Sequence, residues 1–96
     1  MRIVVTRAAQ RDLATIRAYI GERNPAAASR IAVQILSACD RLEYLPERGR
    51  PGLVPGTREI MTIWPYVIVY RITPAAVEIL RIWHGAQDRE EGGPTR

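Results

Sequence analysis

The sequence predicts an α+β domain in the order β-α-α-β-β-β, a helical hairpin packed on a small antiparallel sheet. Three observations predict it. Apolar residues at helical spacing fill the first half, as Ala9, Leu13, Ile16 and Ile20, then Ile31, Ile35, Ala38, Leu42 and Leu45. Three β-branched segments follow one another in the second half. Between them, Pro46–Thr57 holds Pro46, Pro51, Pro55, Gly49, Gly52 and Gly56, a loop composition. Helices and strands grouped in separate runs favour α+β over an alternating parallel sheet.

Each element has its own reason. R-I-V-V-T at Arg2–Thr6 is short and β-branched, a strand, and Thr6 can cap the helix that follows to about Arg23. Arg7, Arg11 and Arg17 lie largely off that helix's apolar stripe. Asn24-Pro25 supplies a cap and a first-turn proline for a second helix, and so short a connection makes the pair an antiparallel hairpin. The second stripe lasts two heptads, which suits a core seam rather than a coiled coil. Strands are expected at Arg58–Ile63, Tyr66–Thr73 and Ala76–Trp83, separated by Trp64-Pro65 and Thr73–Ala75. Strict alternation would place Ile79, Arg81 and Trp83 on one face of the last strand and Leu80, Ile82 and His84 on the other. Residues 1–89 form one domain, and residues 90–96, with two glycines, a proline and charges, read as a flexible tail.

Ninety-six residues leave no room for a second core. A chain this short buries roughly two thirds of its unfolded surface, so a partner that covers apolar surface matters to its stability. The longest apolar run, Tyr66–Tyr70, falls far short of the ~20 residues that span a bilayer, and no signal peptide opens the chain. A cytoplasmic protein without membrane contact is the expectation. The single Cys39 excludes an internal disulfide and sits in a helical pattern among Ile35, Ala38 and Leu42, where a thiol serves as a small hydrophobe. The formal net charge is +4, and all fourteen basic residues are arginine. Arginine pairs bidentately with carboxylate or phosphate, so an acidic partner or a nucleic acid suits this surface.

Arg48, Arg50, Arg58, Arg71 and Arg81 gather in the C-terminal half and are the candidates for binding phosphate or an acidic peptide. His84 is the single histidine, the residue type that most often serves as a general acid or base near neutral pH. A lone histidine has no companions at metal-ligand spacing, so neither a metal nor another cofactor is expected. There is no nucleophile elbow, and P-G-L-V-P-G at Pro51–Gly56 opens no helix, so it is not a P-loop. Trp64, Tyr66, Tyr70 and Trp83 can stack on bases or fill the seam between sheet and helices.

P-G-T-R-E at Pro55–Glu59, Y-V-I-V-Y-R at Tyr66–Arg71 and V-E-I-L-R-x-x-H-G-A at Val77–Ala86 stand in one order and spacing. On these landmarks the chain resembles the RelE/ParE family of toxins of type II toxin–antitoxin systems over residues 1–89. The resemblance implies the same β-α-α-β-β-β fold. It also implies a cognate antitoxin resembling ParD or RelB, an acidic, partly disordered chain that folds onto the toxin. In that family the antitoxin carries the operator-binding domain, so operator DNA is reached only through it.

Two activities divide the family: RelE-like members cut messenger RNA on the ribosome, and ParE-like members poison DNA gyrase. Fold alone does not choose between them. Ribonucleases of the branch commonly carry an arginine before the L-V-Y of the third strand, where this chain has Val67, and often a terminal tyrosine that this chain lacks. P-G-T-R-E, Y-V-I-V-Y-R and H-G-A-x-D at His84–Asp88 look closer to ParE-like chains. The resemblance thus favours a growth-arresting gyrase inhibitor of the plasmid-stabilisation kind. An mRNA endonuclease is the alternative, for which the resemblance would make Arg58, Arg81 and His84 the catalytic candidates, and a small basic nucleic-acid-binding module is a third reading.

Overall fold

The structure, a computed structural model, describes residues 1–85, the side chain of Thr62 excepted. It has β1 (Arg2–Val5), α1 (Arg7–Gly21), α2 (Pro25–Arg41), β2 (Arg50–Pro51), β3 (Arg58–Ile63), β4 (Tyr66–Ile72) and β5 (Ala76–His84). The expected α+β order is present, with two additions inside the predicted loop: Pro46–Arg48 forms a single 3₁₀ turn and β2 a two-residue strand. The tail at residues 90–96 and the H-G-A-x-D motif beyond Gly85 lie outside the described residues.

Both helix starts follow the sequence. Thr6 Oγ1 accepts from the Ala9 N–H at 3.3 Å and donates to Ile79 O at 2.7 Å, so one hydroxyl caps α1 and fastens it to β5. Asn24 Oδ1 accepts from the Ala27 N–H at 3.0 Å, and Pro25 opens α2. Helix α1 stops at Gly21 rather than Arg23, because the Arg23 and Asn24 N–H groups both turn back to Ile20 O. Leu45 lies beyond the end of α2 and is exposed, so the seam it was expected to extend stops at Leu42.

The sheet order is β1-β5-β4-β3-β2. Three of its four pairings are antiparallel; β1 runs parallel to β5, with Arg2 opposite Ala76 and Val5 opposite Ile79. The helices cover one face, where Ala9, Ile35, Ala38, Leu42, Ile68, Tyr70, Val77, Ile79 and Ile82 form the core.

Strict alternation fails in β5. The register against β4 shifts between Val69 and Tyr70: Val69 faces Arg81 while Tyr70 faces Ile79, which leaves Leu80 as the extra residue of a bulge. The bulge returns Ile82 to the face that holds Ile79, and Trp83 to the opposite face with Val67 and Val69. Arg81 and Trp83 therefore do not continue the face of Ile79. On that opposite face Val67, Val69 and Trp83 are all at most 5% exposed.

Candidate functional site

The basic loop is built around Tyr70, which is fully buried. Its hydroxyl accepts from the Gly49 N–H at 2.9 Å and donates to Pro46 O at 2.6 Å, pinning the loop to the sheet. Position 49 must be glycine: a Cβ there would lie 2.5 Å from the Tyr70 hydroxyl and 2.9 Å from Glu59 O. Arg58, opposite Tyr70 on β3, grips the same loop. Its Nη1 donates to Glu47 O at 3.1 Å and Gly49 O at 2.9 Å, on either side of Arg48. Arg48 itself is exposed. Burial raises the Tyr70 phenol above its ordinary value of 10.0, with the Gly49 bond and the Arg58 and Arg48 charges pulling the other way.

Arg50 and Glu59 face each other across β2 and β3 and pair at 3.3 Å. The carboxylate is buried at 3% exposure while the guanidinium is 62% exposed, so Arg50 seals a buried acid and still presents charge to solvent. Beside them lies a shallow apolar groove on the far face of the sheet, lined by Leu53, Val54, Thr57, Glu59, Val69 and Trp83. The loop reaches this face through a closed turn. The Gly52 N–H donates to Thr57 O, Thr57 N–H and Oγ1 both donate to Val54 O, and Gly56 takes φ +86°, open to glycine at no steric cost.

The remaining candidates lie apart. Arg71 pairs with Glu78 across β4 and β5 at 2.6 Å, exposed to solvent. Arg81 points to α1, where it makes a fork with Asp12 at 2.7 and 2.9 Å, and both side chains are partly buried. His84 ends β5, edge-on to Tyr66 with ring centroids 5.8 Å apart. Arg58 and His84 sit opposite Tyr70 and Tyr66 respectively, four residues apart on β4, which is roughly 13 Å along a strand. Thus Arg48 and Arg50 lie on the loop that Arg58 clasps from β3, whereas Arg58, Arg81 and His84 do not converge on one point.

The aromatic residues also divide. Tyr70 and Trp83 are core, Tyr66 is half-buried, and Trp64 is 73% exposed on the turn between β3 and β4. Cys39 is buried and its thiol is pushed up from 9.0 to about 12, by desolvation first and by the negative Asp40 second, so it stays protonated. Among the described residues no group of three or more His, Cys, Asp or Glu could hold a metal ion, and no helix is long and apolar enough to cross a membrane.

Sequence reading missed Asp12 and Glu59, the two acids that engage the arginines. Asp12 had a signal in its position, beside Leu13 and one turn from Ile16 on the buried side of α1. Glu59 had none, because its burial depends on the loop closing over β3.

Comparison with known proteins adds to this geometry. Residues 3–89 match a family model described as the ParE toxin of the type II toxin–antitoxin system parDE. The chain is 44% identical over 87 residues to Toxin RelE2 of Caulobacter vibrioides, covering 90% of this chain and 97% of that protein. It is also 44% identical over 87 residues to the putative toxin Y4kP of Sinorhizobium fredii, covering 90% of each. Among solved structures it resembles a chain of the chromosomal ParDE system from P. aeruginosa, with TM-score 0.81, 28% identity and coverage of 88% and 95%. A chain of the RelBE2 toxin–antitoxin complex from Mycobacterium tuberculosis is also similar, with TM-score 0.62, 27% identity and coverage of 86% and 95%.

Proposed function

The chain belongs to the RelE/ParE family of type II toxins, and we propose that it arrests growth by inhibiting DNA gyrase and is neutralised by a cognate antitoxin. The observation that carries the gyrase reading is the dispersal of Arg58, Arg81 and His84. Ribonuclease chemistry at a ribose 2′-hydroxyl needs a base, an acid and a stabiliser of phosphorane charge within hydrogen-bond reach of one phosphate. Here Arg81 is committed to Asp12, one Arg58 nitrogen to two loop carbonyls, and His84 stands at the opposite end of β4. A poison that binds its target needs no such convergence. The ParE description of the matched family supports the same branch.

The names of two relatives favour a second reading. Toxin RelE2 and the RelBE2 complex carry the name of the mRNA-cleaving branch, so cleavage of messenger RNA on the ribosome is the alternative. An antitoxin suits both readings, and the structural neighbours come from toxin–antitoxin systems.

Pulse labelling after induced expression separates the two. Early loss of thymidine incorporation with continued methionine incorporation is the expected result. Early loss of methionine incorporation would replace the gyrase reading by the ribosomal one, and the loss of neither would remove the growth-arrest reading itself.

A further inference from the structure

Helix α1 turns a basic face to solvent, directly opposite its packed one. At 3.6 residues per turn, Arg7, Arg11, Ala14 and Ala18 fall within about 60° of one another, opposite the core residues Ala9 and Ile16. Arg17 stands to one side, about 120° round the helix from Arg11, with the two alanines between them. All five are exposed. None of the three arginines has a hydrogen-bonded or ion-pair partner among the described residues. The one acid within α1, Asp12, is partly buried and held by Arg81. This placement works against the helix itself. Arg7 and Arg11 repel each other across one turn, and the first turn holds no acid to offset cations at the N-terminal end. An anion laid along the face removes both costs.

The rest of the face decides what kind of anion fits. Its crest carries only alanine, so it lacks the large side chain that anchors the centre of a protein–protein contact. It also lacks a ring on which an unpaired base would stack, which disfavours a single strand. The exposed ring of this helix, Tyr19, lies about 100° round from Ala18, on the side of Tyr66. A regular row of fixed charges remains, the phosphate backbone of a duplex. A helix about 10–12 Å across matches the major groove of B-DNA, about 12 Å wide, and Arg11 and Arg17 diverge from the crest toward its two phosphate walls. The deep, narrow major groove of an RNA duplex does not admit this approach. Alanine makes no hydrogen bond to a base edge, so the contact is independent of sequence.

We propose that the outer face of α1 is a sequence-independent binding surface for duplex DNA. Arg7, Arg11 and Arg17, spread over about 15 Å of the helix axis, bind phosphates, and Ala14 and Ala18 form the small crest that lets the duplex approach. Such a surface selects no operator. It does not rest on the gyrase reading, which pulse labelling tests separately. Where gyrase is the target, this face grips the DNA on which that enzyme works.

The test titrates the full chain into fluorescently labelled DNA duplexes of about 20 base pairs, roughly two helical turns, in two unrelated sequences, and follows anisotropy as salt is varied. Both sequences should bind alike, and three phosphate contacts should account for about a 40-fold loss of affinity between about 50 and 200 mM salt. Arg7→Ala/Arg11→Ala/Arg17→Ala should keep the wild-type circular dichroism spectrum, because alanine favours helix. It should weaken binding by more than about tenfold at the lower salt and flatten the slope of log K against log salt by about 2.7. Arg30→Ala with Arg41→Ala removes exposed charge from α2 instead. At the higher salt, with a Debye length of about 7 Å, it should change affinity by less than about threefold. Equal binding by wild type and the triple variant, or no binding of either duplex by wild type, would overturn the proposal. An equal loss from the α2 pair would replace it by a bulk charge effect. Tighter binding to an RNA duplex of the same sequence, or to polyglutamate, would overturn it in favour of RNA or of an acidic protein surface.

Discussion

Asp12 holds Arg81 through both carboxylate oxygens, and its Oδ2 also accepts the Ile82 backbone N–H at 2.9 Å. The reason lies in the sheet edge. β1 pairs with β5 only as far as Val5 and Ile79, and the bulge follows at Leu80. Past that point α1, rather than a neighbouring strand, supplies the acceptor for β5. An arginine that sequence reading offers to phosphate is thereby a tie between helix and sheet.

Loss of that tie should be felt in stability. Asp12→Ala removes the carboxylate that a half-buried guanidinium and the Ile82 N–H share, a cost of about 2 kcal/mol after allowance for partial exposure. In a domain of this size that lowers Tm by about 8–16 °C. Arg81→Lys should lose a large part of the same amount, because an ammonium cannot reproduce the fork. Thermal denaturation followed by circular dichroism measures both, and Tm values unchanged within two degrees, roughly the effect of a neutral surface change, would refute the role.

Tyr70→Phe removes one hydroxyl and strands two loop groups, the Gly49 N–H and Pro46 O. The expected loss is about 1–3 kcal/mol in urea unfolding. Gly49→Ala should cost at least as much, since the new methyl meets both the Tyr70 hydroxyl and the Glu59 backbone. A Gly49→Ala protein as stable as wild type would mean that the loop is not pinned as described.

Alkali should unfold the protein. The thiol of Cys39 and the phenols of Tyr66 and Tyr70 are all raised in the folded state, mainly by burial. A raised group holds its proton longer folded than unfolded, so stability is intact below the unfolded value and falls as pH rises through the folded one. The loss should begin above pH 9.0 with Cys39 and steepen above pH 10.0 with the tyrosines. Cys39→Ala should remove the earliest part of the decline in urea titrations across that range. A thiol reagent at neutral pH should label Cys39 only as fast as the protein unfolds.

The two tryptophans should behave oppositely. Trp64 is 73% exposed and Trp83 is 3% exposed. Iodide should quench most of the accessible fluorescence through Trp64, and Trp64→Ala should leave Tm nearly unchanged. Trp83→Ala empties the apolar cluster on the far face of the sheet and should cost about 3–5 kcal/mol. Equal quenching of both residues would contradict the burial of Trp83.

His84→Ala should leave growth arrest intact in the pulse-labelling assay, with only a modest fall in Tm from the lost edge contact with Tyr66. Loss of arrest by a variant that still folds and binds antitoxin would return His84 to the catalytic candidates.

The fold class, the helical hairpin and the strand order along the chain are legible in the residues alone, because these rest on local periodicity. Thr6, Asn24 and Pro25 announce helix starts through capping, and glycines and prolines mark the loop that parts helices from strands. The family is legible too, in three landmarks spread over the last strands. What each arginine does was settled only by the folded chain. Arg58 became a clasp because the loop closes back onto β3, Arg50 a lid because Glu59 is buried beneath it, and Arg81 a tie because Asp12 of α1 lies beside β5 where its pairing with β1 has ended. Each outcome depends on a partner between 9 and 69 residues away in the chain. A periodicity of two or of 3.6 residues carries no information at that range, and one extra residue in a strand is enough to change which face a side chain joins.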